Sequence, residues 1–244
     1  MGDLIVRLTL LVAAAALFFT GCAHPRTAVG IDEGGQSRMM SVADLGTPGP
    51  WRALNDPSAW RGYKSETIPA AWRFSDGVLS KTRPVADIVS KDEFGDFDLQ
   101  LEWRIGEAGN SGIFYRGTEE YDHIYWTAPE YQLLDNVKAD DNKTPLTRAA
   151  AVYGLYPAPD GHVKPVGEWN VARIVAKGAH VEHWLNGFLM EQYELGSPDW
   201  EAKVKASKFG AWPHYGRAKR GHIALQGDHN GELAFRNIRI RHLP

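Results

Sequence analysis

The chain has a single cysteine, Cys22, in 244 residues, so no disulfide can close within it. Small exported domains usually carry several cysteines, and a lone thiol therefore calls for another use. Basic charge is not in excess either. There are 27 Lys and Arg against 30 Asp and Glu, a net charge of -3 with both signs scattered along the chain. With no basic stripe to track a phosphate backbone, nucleic acid is excluded as a partner. No internal repeat or low-complexity tract is present. The apolar run at residues 8–19 is too short for a bilayer-spanning helix, which takes about 20 residues. Close Cys or His spacings of the metal-binding kind are missing. The polar run Asp140-Asp141-Asn142-Lys143 lacks the Gly and terminal Glu of a calcium loop. No metal and no cofactor is expected.

What the N-terminus does have is an address. Arg7 precedes the apolar run, which ends in Phe19-Thr20-Gly21-Cys22. The length suits a signal-peptide core, and small residues before a cysteine resemble the bacterial lipobox. That resemblance implies lipid on Cys22 and cleavage before it. Several acyl chains on one residue hold a protein to a membrane where one does not. Residues 1–21 are therefore expected to be a signal peptide and 22–50, rich in Gly, Ser, Asp and Pro, a lipidated tether. The expected location is the bacterial cell envelope. Ala23 after the cysteine favours the outer membrane under the enterobacterial sorting rule. An ordinary secretory signal cut near Ala23 is the alternative.

Residues 51–244 suffice for one well-buried domain. They are rich in aromatics, which favour strands and offer flat faces to sugar rings. Phe97, Leu99, Leu101, Trp103 and Ile105 alternate with Asp98, Gln100, Glu102 and Arg104, as in a strand with one buried face. Further strands are expected at 112–116, 131–134, 169–176, 180–185, 222–226 and 233–241. Asn186-Gly187 is a two-residue hairpin signal. A single helix is expected from Ser197-Pro198 toward Phe209, with Ser as N-cap. Short strands at even spacing point to an all-β sandwich or jelly roll. Leu99, Leu101, Trp103, Ile113 and Tyr115 are assigned to the space between the sheets, and Trp103, Trp169 and Trp184 to the core.

Six segments in order carry a resemblance to a family. They begin with Phe94-Gly95-Asp96-Phe97-Asp98-Leu99-Gln100-Leu101-Glu102-Trp103-Arg104-Ile105, Asn110-Ser111-Gly112-Ile113-Phe114-Tyr115-Arg116 and Glu130-Tyr131-Gln132-Leu133-Leu134-Asp135. Gly167-Glu168-Trp169-Asn170 and His183-Trp184-Leu185-Asn186-Gly187 follow. The last is Ile223-Ala224-Leu225-Gln226-Gly227-Asp228-His229 with Phe235-Arg236-Asn237-Ile238. Together they resemble the 3-keto-disaccharide hydrolase family. The resemblance implies a concanavalin-like jelly roll of two antiparallel sheets, one concave, and an oxidised glycoside as substrate. Ala149-Ala150-Ala151 departs from it, standing where a glycine-containing stretch is usual before Tyr153.

Alternation places Glu130 with Gln132, Glu102 with Gln100 and Arg104, and Phe114 with Arg116 on shared strand faces. With the resemblance, Glu130, Gln132, Glu102 and Arg116 are expected to converge on one concave face, with Arg116 nearer Glu102 or Gln132 than Glu130. A C3 ketone acidifies the C2 hydrogen, so cleavage needs a base, donors for an oxyanion and an acid for the leaving oxygen. Glu130 is the candidate base. Arg116, Gln132 and His183 hold oxygens, and Glu102 donates a proton or orients Arg116. Asn110, Tyr153, Asp228 and His229 complete the substrate-binding set, with His183 or His229 near the rim. Direct hydrolysis by Glu102 and Glu130 is an alternative route, and a Glu102–Arg116 structural ion pair a competing role. Asn186 serves the hairpin turn. A non-catalytic carbohydrate-binding lipoprotein is the alternative function, since the fold alone does not choose. A buried carboxylate of shifted pKa beside a cation separates the two.

The lipid assignment has a direct test. Cys22→Ser is expected to leave the protein unprocessed at the lipobox and without acyl label, measured by mass spectrometry of the mature N-terminus. Normal processing and unchanged membrane attachment of that variant contradict it.

Overall fold

The computed structural model describes residues 47–244, together with the backbone of a hairpin formed by Ala28–Ile31 (β1) and Ser37–Met40 (β2). Cys22 and the segment expected to be a signal peptide lie outside the described residues. The hairpin falls within the stretch expected to be a tether.

The domain's strands are Arg52–Ala53 (β3), Trp60–Gly62 (β4), Arg73–Ser75 (β5), Val78–Lys81 (β6), Ile88–Phe94 (β7), Phe97–Ile105 (β8), Asn110–Gly117 (β9), Glu130–Leu134 (β10), Asn170–Lys177 (β11), His180–Leu185 (β12), Phe188–Glu194 (β13), Gly221–Leu225 (β14) and Leu233–His242 (β15). They pair antiparallel into two sheets. The smaller runs β10-β9-β14-β7-β4; the larger runs β13-β12-β11-β8-β15-β6-β5, with β3 against β15. This is the expected two-sheet sandwich.

Alternation builds the interior. The odd residues of β8 from Phe97 to Ile105 are all buried, facing Ile113 and Tyr115 of β9, Tyr131 and Leu133 of β10, and Ile223 and Leu225 of β14 in one cluster. Burying apolar area on both sheets at once is the dominant favourable contribution to such a fold, at about 25 cal/mol per Å². Trp103 is in this core, but Trp169 and Trp184 are not. Each is half-buried on the outside, stacked against arginines: Trp169 under Arg104 and Arg236, Trp184 under Arg173. Trp184 follows from strand parity, because its neighbours Val181, His183 and Leu185 take the inward positions.

The β12–β13 connection is the expected tight turn, with Asn186 at φ +51° and Gly187 at φ +88°. Asn186 does more than turn the chain: its Oδ1 accepts from Val171 N and its Nδ2 donates to His162 O and Asn170 Oδ1. The helix, Pro198–Ala206 (α1), is capped by the Ser197 side chain on Trp200 N and buries Trp200 and Val204. It stops three residues before Phe209 because Ser207 caps a second short turn, Lys208–Ala211, through Phe209 N.

Candidate active site

The outer face of the five-stranded sheet carries two adjacent rows of side chains. Glu130 pairs with Phe114, Phe114 with Ala224, and Ala224 with Val89. One step along, Gln132 pairs with Gly112, and the register continues through Gln226 to Asp87. Gln226 N donates to Gly112 O at 3.0 Å, and Gly227 N donates to Asp87 Oδ1 at 2.8 Å. The second row is thus Gln132, Gly112, Gln226, Asp87.

Gly112 makes the hollow. A β-carbon there would stand 2.7 Å from the Glu130 carboxyl carbon and 2.8 Å from its Cγ, a distance no packed pair tolerates. The carboxyl occupies the volume that any other residue at 112 would fill. Glu130 is only 6% exposed. With the Gln132 amide oriented to suit its neighbours, its nitrogen donates to Glu130 Oε1 and to Ser111 O, both at 3.0 Å. Burial pushes the Glu130 pKa up to about 8; the Lys208 charge opposes this, and Asp141, Asp228 and Asp87 add to it.

Asp87 shares the hollow. It is 9% exposed, and burial pushes its pKa to about 7 against the Gly227 N–H, with Asp228 raising it and Lys81 lowering it. Lys81 donates to the His229 carbonyl at 2.7 Å and the Gly231 carbonyl at 3.3 Å, which fixes the loop bearing Asp228 and His229. Between the carboxyls, the Gln226 side-chain oxygen is buried and has no hydrogen-bond partner among the described residues. Around the rim, Asn110 Nδ2 donates to Asp141 Oδ2 at 3.4 Å. Lys208 Nζ lies 4.4 Å from the Tyr153 ring centre. Burial and the Asp141 carboxylate raise the Tyr153 pKa.

The expected convergence is therefore met in part. Glu130 and Gln132 share one face. Asn110, Tyr153 and Asp228 are bound to that neighbourhood through Asp141, Lys208 and the acid cluster. His229 sits half-exposed in the same loop as Asp228, its Nε2 3.6 Å from the Asp228 carboxylate.

Three assignments are corrected. Glu102 lies on the outer face of the large sheet, on the opposite side of the sandwich. There it takes hydrogen bonds from Arg236 Nε at 2.8 Å and Asn237 Nδ2 at 2.6 Å. Burial pushes the Glu102 pKa up, but these donors hold it below the usual range. It neither faces Glu130 nor pairs with Arg116. Arg116 breaks the alternation of β9, with φ +53° opposite the irregularity between His222 and Ala224. Its guanidinium turns to the sandwich end, donating to Gly95 O, Gly178 O and Asp96 Oδ1 at 2.9, 2.8 and 3.0 Å. His183 is inside the sandwich. Its Nδ1 donates to Ala150 O at 3.0 Å, since a carbonyl only accepts, and its Nε2 accepts from the Tyr115 hydroxyl at 2.8 Å. Burial lowers its pKa to about 4, so it is neutral and remote from the rim.

Asp87, Asp141, Lys208 and Gln226 were not singled out by sequence. Asp87 alone had a usable signal, standing two residues before Val89 at the head of β7. The Ala149-Ala150-Ala151 departure does have a consequence: Ala150 sits at φ +71°, a conformation glycine adopts without strain.

Comparisons with known proteins bear on the family and the fold. The 3-keto-alpha-glucoside-1,2-lyase-like domain matches residues 50–241. The chain is 32% identical over 216 residues to a 3-keto-disaccharide hydrolase of Bacteroides thetaiotaomicron, covering 75% of this chain and 74% of that one. A solved structure from Parabacteroides distasonis, provisionally assigned as a glycosyl hydrolase, superposes with a TM-score of 0.74 at 29% identity over 80% of this chain and 94% of that one. A Bacillus subtilis protein of galectin-like fold superposes with a TM-score of 0.52 at 13% identity over 81% and 95% of the two chains. That last likeness concerns the fold alone.

A buried carboxyl of raised pKa leaves a mark on stability. Glu130 keeps its proton to about pH 8 when folded but loses it near its ordinary value of 4.5 when unfolded. Between those values the unfolded chain binds fewer protons, so stability falls as pH rises. Glu130→Gln removes this slope. Its stability relative to wild type is expected to rise from pH 4.5 to 8, by at most roughly 1.4 kcal/mol per pH unit, in urea unfolding. A pH-independent difference contradicts it.

Proposed function

The chain belongs to the 3-keto-alpha-glucoside-1,2-lyase-like family, and from that premise we propose that it cleaves the glycosidic bond of 3-keto-glycosides or 3-keto-disaccharides. The observation that carries this reading is the Glu130 carboxyl, buried over Gly112 with its pKa near 8. A base is most effective when its pKa lies near the working pH. An ordinary exposed glutamate, near 4.3, is a far weaker base.

In this reading Glu130 takes the C2 hydrogen, which the C3 ketone has acidified. The C1–O bond then breaks, leaving a C1–C2 double bond conjugated with the ketone. Water adds oxygen to C1 and a proton returns to C2, so elimination followed by hydration amounts to hydrolysis. Such a sequence accommodates both the lyase-like description of the family and the hydrolase name of the relative. Lys208, whose charge reaches Glu130, supplies the positive field for the enolate that was expected of Arg116. Gln132, Asn110, Tyr153, Asp228 and His229 bind sugar hydroxyls. Direct hydrolysis by Glu102 and Glu130 is set aside, because the sandwich separates them.

A non-catalytic sugar binder has no use for a carboxyl held neutral in a hollow, since desolvating it costs stability. The cell envelope is part of the proposal, through lipid on Cys22; its support is the leader pattern of residues 7–22.

The test is release of the aglycone from a 3-keto-glucoside by the purified domain. Wild type is expected to show kcat/KM rising with pH up to about 8, the ionisation of Glu130. Glu130→Gln is expected to lose about 10²–10⁴-fold with the fold retained by circular dichroism. Full specific activity in that variant removes Glu130 from the mechanism.

A further inference from the structure

Cleavage at Glu130 leaves one requirement unmet. The departing glycosidic oxygen takes the electron pair of the C1–O bond and needs a proton. Glu102, the sequence candidate, is on the other side of the sandwich, and Arg116 is engaged with Asp96 and two carbonyls. The donor must come from the same outer face as Glu130.

We propose that Asp87 is the second catalytic group of this site, giving its proton to the leaving oxygen. The inference rests on the reading of Glu130 as the base. Its ground is the row Gln132, Gly112, Gln226, Asp87. Two strand spacings, about 10 Å, separate the backbones of Gly112 and Asp87, and Glu130 fills the space above Gly112. The two carboxyls therefore face one another across Gln226.

Gln226 marks the ground between them as a place for a ligand. Its side-chain oxygen is buried, with the residue 6% exposed, and has no partner. A buried acceptor left unpaired costs about 1–3 kcal/mol, and a sugar hydroxyl seated between the carboxyls satisfies it. Asp87 itself is anchored at one oxygen by Gly227 N, which leaves the other to carry the proton. Burial favours the protonated form. The groups whose fields meet Asp87 are Asp228, Lys81, Glu130, Tyr63 and Tyr125.

The cycle balances. The C2–H bond breaks and its proton goes to Glu130; the C1–O bond breaks and its oxygen takes the proton of Asp87. In hydration, water gives its proton to the Asp87 carboxylate and its oxygen to C1, and Glu130 returns a proton to C2. Both carboxyls end as they began, with no oxidant or reductant required.

Leaving-group dependence tests this. A nitrophenolate departs without protonation; a sugar alkoxide does not. Asp87→Asn keeps an acceptor for Gly227 N. It is expected to lose about 10²–10⁴-fold on a 3-keto-disaccharide while staying within about tenfold of wild type on the 4-nitrophenyl 3-keto-glucoside. Glu130→Gln loses activity on both. Equal loss on both substrates in Asp87→Asn, or none on either, overturns the role of Asp87 while leaving that of Glu130 standing. Should Asp87→Asn not fold, the wild-type pH profiles decide. With Asp87 losing its proton near pH 7 and Glu130 near pH 8, the disaccharide rate is expected to level off above about pH 7 and fall above about pH 8, while the nitrophenyl rate rises to about pH 8 and stays level; identical limbs overturn the proposal. Wild type cleaving neither substrate overturns the function itself.

Discussion

The Glu130 carboxyl occupies the space where a side chain on the neighbouring strand would have to be. Everything proposed for the site depends on that exclusion. Gly112 has no β-carbon, so the carboxyl lies down on the sheet instead of reaching into water. Once there it loses hydration and holds its proton to about pH 8. A larger residue at 112 would displace it toward solvent and return it to an ordinary acid. The glycine is needed here for close approach, its φ being on the ordinary side.

The sheet that presents Glu130 is held in place from behind. Tyr115 on the inner face of β9 donates to His183 on β12 of the other sheet, and its oxygen accepts from Tyr193 on β13 in a very short contact. His183 passes the chain on to Ala150 O, and Ala150 N donates to Gln132 O. A continuous set of hydrogen bonds thus ties the large sheet to the backbone of the residue that donates to Glu130. Arg116 fastens the far end of β9 to Gly95, Asp96 and Gly178. Polar groups this deep in a core rigidify it when all are satisfied. Residues first read as chemistry, His183 and Arg116, instead hold the strands that carry the chemistry.

Strand alternation was legible, and so was the sandwich. The odd residues of β8 are buried as the pattern required, Ser197 caps the helix, and Asn186-Gly187 turns the hairpin. Alternation assigns a residue to a face, however, and leaves open which sheet owns the strand. Glu102 and Glu130 each face outward, yet from opposite sheets. The inward position of His183 was available from Val181 and Leu185 beside it and was outweighed by its chemistry. Arg116 was beyond reach: its positive φ belongs to a bulge in β9, where Tyr115 and Arg116 stand against the single residue Ile223 of β14. Asp87 and Gln226 become neighbours of Glu130 only through pairings between β7, β14 and β9, strands distant in the chain.

The most direct test of this account is the ionisation of Glu130 itself. In protein labelled with 13C at the glutamate side-chain carboxyl and assigned with Glu130→Gln, the Glu130 resonance is predicted to titrate near pH 8. A midpoint near 4.5, with the other glutamates of the surface, would contradict the claim that Gly112 and burial make Glu130 a base matched to its task.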